Sequence, residues 1–337
     1  MTAIDLHCHF IPPALIERIR TDGAARGITV ERRGDKEFVN FAGRDATQPF
    51  PEGMLDLEER LRWMDANGIE IQVLSAWMDF SAYVLDPEDG RWLANSLNEL
   101  TVEAISRWPD RFRAMAAVPL QAPDLAAEEL RVAVNDLGVV GVEIATSVVD
   151  LELDDPSLEP FWSAVESSGL VVLVHPYSSI GADRLARYFF ANSVANPAEE
   201  TVAAAHLIHG GVLDRHPEMK VCLTHGGGFL PYQVGRLDRG YVAKPDLSRV
   251  YLNTRPSELL RRFFYDTIVH SPEALRFLTE RVGYDRVVLG SDQPFPMGDP
   301  DPVGTVTAAG FSAEVQDAIL RGNAARLIGL QDSKTPS

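Results

Sequence analysis

Short apolar runs recur along the chain, each separated from the next by a stretch with helical spacing. The runs are Ile4 to His7, Glu70 to Ser75, Phe112 to Pro119, Val139 to Ile144, Leu170 to His175, Lys220 to His225, a weaker one near Phe263 to Ile268, and Arg286 to Ser291. Continuous apolar runs, in place of strict alternation, mark strands buried on both faces, as in a parallel sheet covered by helices. Eight strand–helix units predict an α/β fold closed into a (β/α)8 TIM barrel, which commonly uses ~250 residues as one domain. The reading is therefore a single domain over residues 1–331, followed by a polar, frayed tail at 332–337.

The stretches between runs carry helix punctuation. Asp56 is placed to cap a helix that Gly68 stops, and Asp124 opens one that ends near Gly138. Asn196 reads as a cap with Pro197 in the first helical position and Glu199 and Glu200 on the positive helix end. Ser312 opens the last helix. Residues 21–52 do not fit a barrel unit. Their glycines and strand-like pieces (ITVER, EFVNF) predict an inserted excursion of one or two hairpins after strand one, near the active face.

Composition narrows the partners. Of the residues, 45% are apolar, and 31 basic against 49 acidic side chains give a net charge of −18. That balance argues against binding to nucleic acid or an anionic membrane, which needs clustered cations. Cys8 and Cys222 are too few for a disulfide framework. Met1-Thr2-Ala3 leads straight into Ile4 with no signal-like region, and no run has the ~18 apolar residues of a membrane span. The expectation is a soluble, cytoplasmic protein acting on a small molecule.

Candidate chemistry gathers at the run ends. In His7-Cys8-His9, alternate residues of an extended segment share a face, so both imidazoles point one way. Paired neutral imidazoles suit zinc or a similar metal. His175 ends run five, His225 ends run six before Gly226-Gly227-Gly228, and Asp292 follows run eight. In a closed barrel those ends converge on one bowl. The glycines are expected to let backbone approach a substrate.

The motifs IDLHCHFIP, VVLVHP at 171–176, NPAEET at 196–201, GGVLDRHPEMKVCLTHGGG at 210–228, GRLDRG at 235–240 and LGSDQPFPMG at 289–298 resemble one family. It is the decarboxylase-type branch of the amidohydrolase superfamily, the group that contains 2-amino-3-carboxymuconate-6-semialdehyde decarboxylase. The resemblance implies that His7, His9, His175 and Asp292 bind one divalent metal, zinc first and manganese second. It implies that His225 is the acid/base, with Asp292 able to shuttle a proton. Two-metal members carry a carbamylated lysine at the end of strand four. This chain offers Glu143 there, which favours one metal and a structural role for that acid.

The resemblance also implies a homodimer, with Lys244 and Arg239 as candidates to reach a neighbouring pocket. Lys244 stands where an arginine is lent across subunits, Arg44 is the nearest candidate for a first-hairpin arginine and is expected to be solvated, and Asn192 replaces a tryptophan. Arg and Lys are not equivalent at a bidentate site. Around the pocket the chain offers Trp77, Asp79, Tyr177, Gln293 and Phe295. Trp77 and Phe295 either sandwich a planar ring or pack the rim. Asp79 either accepts from a substrate hydroxyl or amine, or caps a loop. His206 and His209, three apart and without a matching carboxylate, read as helix packing. His216 lies in a turn, and His270 follows strand seven near the rim. Cys8 should face the barrel wall, and Cys222 the core.

The leading expectation is a metal-dependent, non-oxidative decarboxylase of a cyclic or conjugated carboxylic acid, of the hydroxy- or amino-arene or muconate type, in aromatic catabolism. A hydrolase or hydratase would use the same five residues, with His225 as base toward water. A metal-retaining binding protein without turnover is the reading from outside enzymology.

Overall fold

Each of the eight apolar runs yields a parallel strand. In the computed structural model, which describes residues 2–177 and 180–330, these are β1 (Ala3–His9), β2 (Ile69–Ser75), β3 (Phe112–Ala116), β4 (Gly141–Ala145), β5 (Val171–His175), β6 (Lys220–Leu223), β7 (Phe263–Asp266) and β8 (Val287–Val288). They neighbour one another in chain order in a single eight-stranded sheet. The segment after β8 closes the sheet onto β1. Leu6 N donates to Leu289 O at 2.9 Å, Asp292 N to His7 O at 2.8 Å and His9 N to Gln293 O at 2.8 Å. The result is a (β/α)8 barrel, as the run pattern predicts. The tail at 332–337 lies outside the described residues.

The apolar residues of the barrel strands separate into two shells. Ile71, Val73, Val171, Leu173, Cys222 and Val288 cluster with Ala324, Leu327 and Ile328 of the C-terminal segment. Val172, Val174, Val221 and Leu223, the alternate positions, pack with the covering helices through Phe161, Trp162 and Leu207. Ile4 and Leu6 belong to the first group and Cys8 to the second. The alternation therefore changes phase along β1. Its pairing with β2 slips between Asp5 and Cys8, as at a β-bulge. That slip turns His7 and His9 toward the mouth above the apolar layer. Cys8 faces the wall, its thiol against Val73 O at 3.4 Å.

Helix starts follow the punctuation in most places. The Asp56 carboxylate accepts from Glu58 N and Glu59 N at 2.8 and 2.9 Å. Asn196 departs from its expected role as a cap. A π turn at Ala191–Ala195 runs directly into the helix Asn196–His209, so Asn196 is already helical, with φ −55° and ψ −51°. The excursion at 21–52 contains one hairpin, Ile28–Arg33 antiparallel to Lys36–Phe41. Its apolar side packs with Trp77, Phe80 and the helix Pro13–Asp22. Among the described residues, no helix is long and apolar enough to cross a membrane.

Candidate active site

Three imidazoles at strand ends share one arrangement. His7 Nδ1 lies 2.7 Å from Asp266 Oδ2, His9 Nδ1 3.0 Å from Ala76 O, and His175 Nδ1 2.9 Å from Pro176 O. Each partner accepts, so each Nδ1 donates and each Nε2 is left with a lone pair. The His7 and His9 Nε2 atoms lie 3.1 Å apart. Asp292 Oδ1 sits 3.2 Å from His9 Nε2 and 3.6 Å from His7 Nε2, and it is buried without a hydrogen-bond partner. Lone pairs and a carboxylate oxygen converging in a buried space are mutually repulsive unless a cation lies among them. The donor atoms of His7, His175, His225 and Asp292 fall within 4.8 Å of one another, and His9 reaches the same place. The residues present fit a divalent metal.

His225 is held differently. Its Nδ1 is 2.6 Å from Glu200 Oε1, and its Nε2 is 3.6 Å from Asp292 Oδ2. It is also the most open of the five, with 16% of its side chain exposed against 0% for His7 and His9. Burial disfavours the His225 cation, but the Glu200 carboxylate, with Asp292, outweighs it and holds the pKa well above the usual histidine value. Glu200 itself is pushed up to about 7 by burial, against the pull of His225. For His175, burial and then the neighbouring imidazoles push the pKa well down.

Two of these partners escaped the sequence reading. Asp266 ends β7, the weakest run, and its Oδ1 also accepts from Gly226 N and Ile268 N at 2.9 and 3.1 Å. Glu200 lies inside a motif, but its place on the helix Asn196–His209 reads as dipole complementation until His225 is seen against it. Glu143 sits behind His9, 3.7 Å from Nδ1, and burial pushes it to about 7.

The glycines after His225 serve packing first. His225 to Gly228 all have positive φ, and a Cβ on Gly228 would lie 2.0 Å from Pro197 O. Gly226 and Gly227 are buried against Val269 and Tyr265, while Gly228 lines a cavity beside His225 and Asp292.

A cavity of about 730 Å³ opens above His175, His225 and Asp292, and Trp77, Asp79, Tyr177 and Phe295 all line it. Trp77 and Phe295 touch edge to face, with centroids 5.6 Å apart. They form one wall, which leaves no slot between them for a sandwiched ring. Arg44 is not solvated as expected. It has 14% of its side chain exposed, pairs with Asp79 at 3.0 Å, donates to the Tyr177 hydroxyl and lies over the Phe41 and Tyr177 rings. His206 does have a carboxylate partner, Asp154 Oδ1 at 2.8 Å, supplied by the loop before the helix Glu159–Ser168. His216 is buried between Glu159 and Glu166, and His270 lines a second cavity of about 380 Å³ on the far side of His225. Lys244 and Arg239 are not among the residues lining the 730 Å³ cavity.

A family model described as Amidohydrolase matches residues 4–330. The chain is 33% identical to 2-amino-3-carboxymuconate-6-semialdehyde decarboxylase of Dictyostelium discoideum, over 98% of this chain and 92% of that protein. It is 29% identical to gamma-resorcylate decarboxylase of Rhizobium radiobacter, over 77% and 84% of the two chains. Among solved structures, 5-carboxyvanillate decarboxylase from Sphingomonas paucimobilis superposes with a TM-score of 0.83 at 26% identity, covering 98% of this chain and 99% of that one.

Proposed function

Because the chain belongs to the amidohydrolase family and its relatives there are decarboxylases, we propose that it is a metal-dependent, non-oxidative decarboxylase of a cyclic or conjugated carboxylic acid. The observation that carries this reading is the His225–Glu200 pair. Glu200 2.6 Å from Nδ1 and Asp292 3.6 Å from Nε2 together favour the imidazolium, so that His225 carries a proton on Nε2 as well, at the floor of the cavity.

His7, His9, His175 and Asp292 would hold one divalent metal, zinc first. When bound, it supplies Lewis-acid charge opposite the substrate carboxylate or an adjacent hydroxyl. His225 delivers its proton to the ring carbon that bears the carboxylate. That carbon becomes tetrahedral, the carbon–carbon bond breaks, and its electron pair restores the conjugated system as carbon dioxide leaves. The proton stays on the carbon, and His225 is recharged from solvent. Asp292 Oδ2 orients the Nε2 proton, and the Trp77–Phe295 wall excludes water from the tetrahedral carbon. A homodimer is part of this reading, as the family resemblance implies, with the exposed Tyr188, Tyr232, Leu247, Val250 and Tyr251 as candidates for its interface.

The test is a screen of hydroxy- and amino-arene and muconic acids for carbon dioxide release in isotopically labelled water. Release with no label on oxygen in the organic product supports decarboxylation. A ring-opened or hydrated product carrying the label would assign the site to a hydrolase or hydratase. His225→Asn should lower turnover by about 10²–10⁴-fold while metal content, read by elemental analysis, is kept. Unchanged turnover would remove His225 from the reaction.

A further inference from the structure

We propose that this site selects acids with a single carboxylate, and that Asp79 is the residue that sets this limit by neutralising Arg44. The inference rests on the decarboxylase reading and names its substrate class. A substrate's reacting carboxylate has the metal centre and His225 as partners. A second carboxylate on the same ring needs its own cation, because a carboxylate removed from water without one is strongly disfavoured.

The wall offers none. Among the described residues lining the 730 Å³ cavity, none is Lys or Arg; apart from the histidines and the two aspartates the lining is apolar or neutral, with Gln48, Phe50, Met78, Asn192 and Met297 among it. Behind the part of that wall formed by Asp79 and Tyr177 lies Arg44, and four of its five N–H groups are committed. Nη2 donates to Asp79 Oδ1 at 3.0 Å, Nη1 to Asp79 O at 2.9 Å and to the Tyr177 hydroxyl, and Nε to Asp45 O at 3.2 Å. Its faces are covered by the Phe41 and Tyr177 rings at 5.2 and 5.1 Å. Asp79, which lines the cavity while Arg44 does not, thus presents a carboxylate where a dicarboxylic substrate would need a positive charge. Neutral substituents such as hydroxyl, methyl, methoxy or amino meet no such penalty, and a hydroxyl or amine can donate to Asp79.

The experiment compares matched pairs on the metal-loaded protein: 2-hydroxybenzoate and 2,6-dihydroxybenzoate against the same rings bearing a second carboxylate meta to the first. Both carbon dioxide release and equilibrium binding by calorimetry are read. The single acids should bind about 100-fold more tightly than their dicarboxylate counterparts. Asp79→Asn leaves the Arg44 charge uncompensated at the cavity wall and should raise the dicarboxylate-to-monocarboxylate ratio at least about tenfold. Dicarboxylates that bind as well as single acids overturn the proposal, as does an acid pair that fails to bind. A dicarboxylate preference that disappears in Lys244→Ala also overturns it, because the missing cation would then come from another subunit. Selective binding without any carbon dioxide release upholds the selectivity and refutes the decarboxylase reading.

Discussion

Asp266 and Glu200 each fix one histidine, and each can be altered alone. Asp266 Oδ1 is held by two backbone N–H groups, so in Asp266→Asn the amide oxygen should keep that place and the NH₂ should face His7 Nδ1. Two donors cannot pair, and His7 is driven to the tautomer with its proton on Nε2. Metal affinity should fall by about 10–100-fold, measured by competition with a chelating dye; unchanged affinity would show that His7 is not a ligand. Glu200→Gln removes the charge that raises the His225 pKa. The alkaline limb of the kcat/KM profile, where a proton donor is lost, should move to lower pH. A limb that stays in place assigns it to another group.

Glu143 tests the sign of a buried acid. Folding raises it from 4.5 to about 7 through burial. The folded chain then holds a proton that the unfolded chain has released, so its stabilising contribution is complete below about pH 4.5 and lost as pH rises through about 7. In metal-free protein, Glu143→Gln should gain on wild type between pH 5 and pH 8, by on the order of 2 kcal/mol. Chemical denaturation at both pH values reads this, and a variant that loses ground instead refutes it. At this scale the legible residues were those whose type and strand-end position coincide, such as His7, His175 and Asp292. Arg44 was misread because a polar hairpin end looks solvated until the rings of Phe41 and Tyr177 close over it.

At the level of elements, the turn from β6 into the site depends on contact with the helix Asn196–His209. Glu200 rides on that helix, and Gly228 packs on its first turn. Gly228→Ala, with φ +59° and a 2.0 Å clash against backbone, should cost about 1–3 kcal/mol. It should also lower turnover, because it separates Glu200 from His225. A fall in melting temperature with undiminished kcat would uncouple the two. The strands themselves were legible as apolar runs. The phase change in β1 was not, because a bulge has no composition of its own. Nor was the early start of the Asn196 helix, where Asn-Pro carries every sign of a cap and only the preceding π turn overrides it.

The whole barrel is sealed at its far end by the C-terminal segment. Leu327 and Ile328 pack beneath Ile4, Leu6 and Leu173, remote from the histidines. Leu327→Asp places a carboxylate in that layer and should cost about 3–5 kcal/mol, seen as a lower melting temperature and less soluble protein. Wild-type stability in that variant would mean that the segment is not part of the fold's closure. The order of strands around the sheet follows their order in sequence, which is why eight runs sufficed to read the architecture. The cavity's charge pattern was not legible, since it depends on which groups neutralise each other across distant segments.

The seam between β1 and the segment after β8 bears on the chain's life before it is complete. Asp5, in the first strand, accepts from the Ser291 hydroxyl at 2.6 Å across a separation of 286 positions. Asp292 is fastened to His7 O by its own backbone N–H. Positions 5 and 291 must therefore meet before Asp292 stands beside His7, a long-range contact of the kind that forms slowly in a folding chain. During synthesis the first histidines emerge almost a full chain length ahead of their carboxylate. A ribosome-bound chain halted before residue 289 lacks Asp292 and so holds an incomplete set of the proposed donors, and tight metal capture should wait for that residue.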